Sequence, residues 1–472
     1  MKKVRLVLIS LLMFFAVTGC SNEDKNLLDK DDPTTIQVWH YYNGAQQEEF
    51  NRLVDEFNKT VGKEKGIIVE GSGQGTISDL ERNVLDSING KAGAADIPNI
   101  FAAYGDTAYQ VDKLGYAVDL NKYFSKDELS KYVDGYLEEG HFSSKDTLKI
   151  FPVAKSVELF MLNKTDWEKF ANATGASTND LNTIEGVTKV AEQYYNWTDS
   201  LTAAPNDGKA FFGRDAFANY MLVGYRQLAT DIFSKKDNKI VLNFEADIAK
   251  KLWDNCYVPY ISGYFSSSGK FRSDDIKIGN ILASSSVTYF PKEVILNDEE
   301  SHSIELETFA CPKFKDGKDY VVQQGAGMVV LKSEEKEQQA AVEFLKWFTS
   351  DKQNIAFSNA SGYLPVTKSA NDLDKITDEV EVNESVKKTL NTSLKMISDN
   401  NMYTSVPFEK GTDARNVLET TTSNLAKQDR ETVITNLSNG MNLEQAISQF
   451  NNDTYFNQWY TNTKSQLESL IK

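Results

Sequence analysis

TIQVWHYYNGAQQEEFNRLVDEFN, residues 34–57, reads as a strand, a turn and a helix in immediate succession. Ile36 and Val38 alternate with polar neighbours, as on a half-buried strand, whereas Phe50, Leu53, Val54 and Phe57 recur at helical spacing. Between the two lie four rings, Trp39, His40, Tyr41 and Tyr42, followed by Asn43 and Gly44. In an open α/β sheet the carboxyl ends of the strands are where ligands bind. Trp39, Tyr41, Tyr42 and Asn43 are therefore candidate ligand contacts. Neighbouring strand residues point to opposite sides, so some of these rings belong to the core. Trp39 is expected to stack on the ligand, with one tyrosine extending the platform.

The same arrangement follows twice more. GIIVEGSGQG (66–75) is a strand entering a glycine-rich turn, with Ser78 and Glu81 spaced as a capping box for the next helix. NIFAAYGDTA (99–108) is a strand, a turn holding Tyr104, Gly105 and Asp106, and a helix through Val111 and Leu114. Three successive β-α units bring their turns to one rim, which adds Gln74 and Asp106 to the candidates.

With 472 residues the chain exceeds one ordinary core and suits two lobes. Its first residues, MKKVRLVLISLLMFFAVTGC, place Lys2, Lys3 and Arg5 before an apolar run from Leu6 to Val17. That run has the form of a secretory signal and falls short of the ~20 residues of a membrane span. Val17-Thr18-Gly19-Cys20 resembles the lipobox of bacterial lipoproteins, in which cleavage leaves the cysteine as a lipid-bearing first residue. Residues 1–19 are thus expected to be a signal peptide, and 20–33, polar and acidic up to Pro33, a lipidated flexible tether. Loss of residues 1–19 removes three basic and no acidic residues, moving the formal charge from −17 to −20. So acidic a chain is a poor partner for nucleic acid. Cys256 and Cys311 remain; with no CxxC spacing, both a bond outside the cell and buried free thiols stay open.

Beyond the third unit, LKIFPVAKSVELFMLNK (148–164) has two apolar strand-like runs separated by Ala154, Lys155 and Ser156, too short for a helix and suited to a crossing between lobes. A mainly helical region follows, then the strand SSSVTYF (284–290), a second crossing at YVVQQGAGMVVL (320–331), and the amphipathic EKEQQAAVEFLKWFTS. HExxH, GxSxG and GxxxxGK[ST] are all absent from the sequence, and His40, His141 and His302 lack ligand spacing. A pair of carboxylates for glycoside hydrolysis is not excluded by residue type.

The lipobox, WHYYNG, PNIFAAYGD, FPVAKS, NDGKAFFGRDAFANYML, VVQQGAGMVV, AAVEFLKWFTS and SGYLPV occur in that order along nearly the whole mature chain. Together they resemble the extracellular solute-binding lipoproteins of bacterial ABC importers, specifically the sugar-type family 1. The resemblance implies an α/β, two-lobed periplasmic-binding-protein-like fold of type II, each lobe a mixed sheet flanked by helices, joined by a hinge. The expected lobes are 34–153 plus about 304–350, and 154–303 plus about 351–472. It implies no enzyme activity and no cofactor. A sugar or oligosaccharide is captured between the lobes and passed to the transmembrane subunits of an ABC permease. The protein is expected to be a monomer, outside the cytoplasm, held at the outer face of the membrane by lipid on Cys20. Sugars present apolar C–H faces ringed by hydroxyls, so aromatic faces and fixed polar groups suit them. From the second lobe, Arg214 and Asp215 are expected at a helix start after Gly213, where free backbone N–H groups also hold hydroxyls. Lys155, Glu158, Ser285, Tyr289, Gln324, Gly325 and Tyr363 complete the candidates. The rival solutes are a polyamine, a peptide or a metal chelate; an acidic aromatic box favours the polyamine.

Overall fold

The computed structural model describes residues 27–269, 271–286, 293–295, 301–379 and 384–472. The signal peptide, Cys20 and Tyr289 lie outside them. Residues 27–33, expected to be tether, are folded onto the body. Leu28 packs against the first core, the Leu27 amide donates to Gln339 Oε1 at 2.9 Å, and Asp29 and Asp32 close a turn.

The opening stretch forms the strand Thr34–His40 and the helix Gly44–Lys59. Thr34–His40 lies at the heart of the first lobe's sheet, parallel to Ile67–Gly73 on one side and to Ile100–Ala103 on the other. Gly327–Val330 joins antiparallel to Ile100–Ala103 as the fourth strand. The helix Ile77–Ile88 begins two residues earlier than a cap at Ser78 with Glu81 suggests. Its reciprocal cap is made by Thr76 and Asp79, because Glu81 is drawn instead toward Thr107 on the neighbouring unit.

The second lobe has its own mixed sheet. Leu159–Asn163 lies between Leu306–Ala310 and Ala283–Ser286, antiparallel to both, and Phe212–Arg214 pairs parallel to Ala283–Ser286. One face packs Phe160, Leu162, Trp167, Phe170 and Phe211. The helical bulk, including the long helix Gly411–Ser438, gathers round Tyr225, Phe244, Trp253 and Tyr257.

Two lobe boundaries differ from expectation. Leu306–Ala310, assigned by sequence to the first lobe, pairs along its whole length with Leu159–Asn163 of the second. The helix Asp351–Ser361, assigned to the second lobe, packs on Gly44–Lys59, and Phe357 and Val366 are buried in the first core. The first core accordingly draws its buried residues from 36–154 and 326–366. The reason is hydrophobic: each segment buries its apolar face where a complementary face waits, which local pattern does not specify.

Both expected crossings are found side by side. Ser156–Val157 pairs antiparallel with Gln323–Gln324, and Asn401–Tyr403 adds a third strand parallel to Tyr320–Gln324. Gly325 has φ +96°, and a Cβ there would fall 2.6 Å from the Ala154 carbonyl oxygen. Only glycine lets the two crossings run this close.

Candidate functional site

The four opening rings divide sharply. Trp39, His40 and Tyr42 are 4 %, 1 % and 6 % exposed and belong to the first core. His40 stacks on Tyr42 with ring centroids 4.9 Å apart, and Phe50 meets both edge-on. Phe357, on the helix Asp351–Ser361, closes over Tyr42 at 5.2 Å. Burial lowers the His40 pKa to about 4, so the ring is neutral, and its Nδ1 accepts from the Tyr42 amide at 3.2 Å. Trp39 and Tyr42 are therefore core residues, contrary to the expectation that solvent and ligand reach them. The helix that covers Tyr42 is the one whose lobe the sequence misassigned.

Tyr41 stays at the rim, half-buried, and its hydroxyl is hydrogen-bonded to Tyr104 from the third turn. Tyr104 is 38 % exposed. Tyr363, directly after the left-handed Gly362 that ends Asp351–Ser361, lies near enough to both to raise their pKa values alongside burial. Three phenol rings thus come together from three separate parts of the first lobe. Asn43 is exposed beside them, and Gln74 is held between Ser72 and Asn83 by hydrogen bonds of 3.0 Å each.

Asp106 reaches across to the second lobe. Its Oδ1 accepts from the Phe408 amide at 3.0 Å, and a Cβ on Gly411 would fall 1.9 Å from it. Burial pushes its carboxyl up to about 6, opposed by the Phe408 amide and the nearby Arg415. The folded chain therefore holds this proton more tightly than the unfolded one. The stability that protonation adds is fully present below about 4 and is lost as pH rises through about 6. Relative to Asp106→Asn, the wild type should lose melting temperature as pH is raised from 4 to 6.5; parallel profiles for the two proteins would refute this account.

The second lobe carries a polar chain, largely buried, whose last member comes close to Tyr104. Glu158 accepts from Arg214 Nη1 at 3.1 Å through one oxygen and from Asn219 Nδ2 at 2.6 Å through the other. Asn219 in turn accepts from Arg415, in the first turns of Gly411–Ser438 and close to both Asp106 and Tyr104. Such a fully bonded chain fixes donors and acceptors in place before any ligand arrives.

Several candidates have other work. Arg214 ends the strand Phe212–Arg214, and the helix starts only at Phe217. The amides of Phe217 and Ala218, expected to be free for hydroxyls, donate to Glu419 at 3.2 and 2.6 Å. Asp215 accepts from the Arg272 amide at 2.9 Å. Lys155 is wholly buried, donating to Glu139 and to the Gly325 carbonyl oxygen at 2.6 Å. Lys155 and Gly325 are buried in the two crossings, while Gln324 stays half-buried in the crossing strand. Ser285 is 2 % exposed, its Oγ 3.7 Å from Cys311 Sγ. Cys256 and Cys311 are both free thiols, raised in pKa by burial and lying near the Arg214 guanidinium.

Asn219, Glu139, Arg415 and Glu419 were not found from sequence. Each sits within a helix pattern that looks like ordinary solvated surface, and only packing turns it inward. Tyr104 was visible in its turn and is now the most exposed ring of the cluster.

The family model described as bacterial extracellular solute-binding protein matches residues 52–384. The chain belongs to that family. The solute-binding protein also resembles solved structures over almost its full length. The cyclic alpha-maltosyl-1,6-maltose binding protein of Arthrobacter globiformis superimposes with a TM-score of 0.65 at 17 % identity, covering 93 % of this chain and 99 % of that one. UgpB of Mycobacterium tuberculosis, solved with glycerophosphocholine, gives 0.65 at 15 %, covering 93 % and 98 %. The substrate-binding protein Lmo0181 of Listeria monocytogenes, solved with cycloalternan, gives 0.63 at 15 %, covering 93 % and 100 %. At these identities the likeness is one of fold: two α/β lobes with a cleft between them. No curated protein matches the chain. Solute-binding proteins act outside the cytoplasm, and among the described residues no helix is long and apolar enough to cross a membrane.

Proposed function

We propose that this solute-binding protein captures a carbohydrate between its lobes and delivers it to the membrane subunits of an ABC importer. The observation that carries the reading is the approach of unlike groups: Arg415, at the end of the second lobe's Glu158–Asn219–Arg415 chain, lies close to Tyr104, which is grouped with Tyr41 and Tyr363 on the first. A pyranose offers C–H faces to rings and hydroxyls to fixed polar groups, so it uses both sides at once. Two of the structural neighbours described above were solved as, or with, proteins of oligosaccharide binding. The protein does this work as a monomer and without a cofactor.

A second reading has one observation in its favour. Three tyrosine rings gathered at one rim also suit a cationic head, such as a quaternary ammonium or a polyamine. A thermal-shift panel of neutral glycans, spermidine and glycerophosphocholine separates the two, because a ligand at 100 times its Kd stabilises the folded state by about 2.7 kcal/mol. Stabilisation by the cations alone would replace the carbohydrate reading.

Tyr104→Ala should then weaken binding of the identified ligand by about 2 kcal/mol, or roughly thirtyfold, with little change in the melting of the free protein. Unchanged affinity by calorimetric titration would remove Tyr104 from the site.

Lipid on Cys20 supplies the anchor in this proposal. Cys20→Ala should release the protein into the medium or leave its precursor uncleaved, since the signal is too short to serve as a span. Retention of the variant at wild-type level in a membrane fraction would refute the anchor.

A further inference from the structure

A second hollow, about 750 Å³ in volume, opens in the second lobe. It shares Arg214 with the polar chain and, from Phe217 and Glu419, runs along Gly411–Ser438. Ligand pockets typically measure about 300–1,000 Å³, so it has the size of a binding site.

Its floor is one face of the long helix. Glu419, Thr422, Ala426 and Arg430 follow one another at steps of a helical turn and line it over about 16 Å, at 1.5 Å rise per residue. Thr422 is 3 % exposed, and its Oγ1 has no hydrogen-bond partner. A buried hydroxyl without a partner costs free energy that an incoming polar group recovers. Arg430 donates to the Ile261 carbonyl oxygen at 3.0 Å and is also hydrogen-bonded to Tyr195, which fixes its guanidinium at the wall of the hollow. Gly263 leaves room for that guanidinium, since a Cβ there would lie 2.3 Å from Nη2. On another wall Ser266 lines the hollow, beside Ser268, whose hydroxyl is held by Asp275 and Asn280, and Ile278 and Ile434, each 49 % exposed, supply apolar edges. Hydroxyls, a guanidinium and small apolar patches in alternation are what a sugar chain meets well and a compact apolar solute does not.

We propose that this hollow holds the outer units of an oligosaccharide whose first units sit between the lobes, so that the preferred ligand is a chain of roughly three or more sugar units rather than a monosaccharide. The inference rests on the carbohydrate reading above. It makes the second lobe the reader of ligand length, with Thr422 and Arg430 as contacts beyond the cleft.

The test is calorimetric titration with maltose-type, cellulose-type and mannan-type oligomers, from monosaccharide to hexasaccharide, of the wild type, Ser423→Trp and Thr422→Val. Ser423 lines the hollow from the half-buried edge of the helix, so an indole there fills it without entering the cleft. In the series that binds, affinity should rise at least about tenfold between disaccharide and tetrasaccharide. Ser423→Trp should abolish that rise while holding the disaccharide within about twofold, and Thr422→Val should reduce it; unchanged melting of the free variants verifies their fold. Affinity independent of length, or a rise that survives Ser423→Trp, would overturn the proposal and leave the carbohydrate reading standing. Failure of all series to bind would instead overturn the carbohydrate reading, and this inference with it.

Discussion

Replacing Lys155 by methionine should cost the free protein about 3–5 kcal/mol, the usual penalty for removing one partner of a buried ion pair. Lys155 is wholly buried and Glu139 nearly so, and the ammonium also holds the Gly325 carbonyl oxygen at 2.6 Å. Without the lysine, Glu139 keeps, among the described residues, the Gln323 amide at 3.4 Å to offset its charge. The loss comes chiefly from the stranded carboxylate. Lys155→Met combined with Glu139→Leu should therefore recover most of it, since an apolar pair of similar volume is often as stable as the ion pair. Denaturant unfolding of the two singles and the double closes the cycle. A single-site cost below about 1 kcal/mol would mean that this pair does not hold the first crossing to the first lobe. Because Lys155 and Gly325 belong to adjacent crossings, the same variant should also loosen the hinge.

Trp39→Ala should destabilise the free protein by about 3–5 kcal/mol, as for large aromatic residues removed from a packed core. That corresponds to a fall of roughly 10 °C for a lobe of this size. The ring is 4 % exposed in the first core, with its backbone paired to Ser72 and Phe101 on the two neighbouring strands. Ligand affinity, titrated well below the variant's melting temperature, should be nearly retained. A variant with intact stability and much weaker binding would return Trp39 to the cleft. Set beside Tyr104→Ala, for which the opposite pattern is expected, the pair distinguishes rings that build the lobe from rings that meet the ligand.

The amino-acid sequence by itself determined what depends on near neighbours. Period-two and helical spacing in residues 34–57 specified the first strand and helix, and three such units placed Tyr41, Tyr104 and Asp106 on one rim. Apolar runs too close together for a helix marked both crossings, at Ala154–Ser156 and Gln323–Gly327. The order of motifs identified the family. What the tertiary structure alone decided was which groups meet across long separations. Alternation could not say that Tyr42 lies under Phe357, more than three hundred residues away, because burial depends on what covers a surface and not on the surface alone. The lobe of Asp351–Ser361 was hidden for the same reason: an amphipathic helix declares that it has an apolar face, not which core receives it. Asn219, Arg415 and Glu419 looked like solvated helix residues, and only the approach of Phe217–Gln227 to Gly411–Ser438 turned them into a buried polar chain and a cap. Local pattern sets the elements and their order, and the long-range pairing of faces chooses the residues that a ligand can touch.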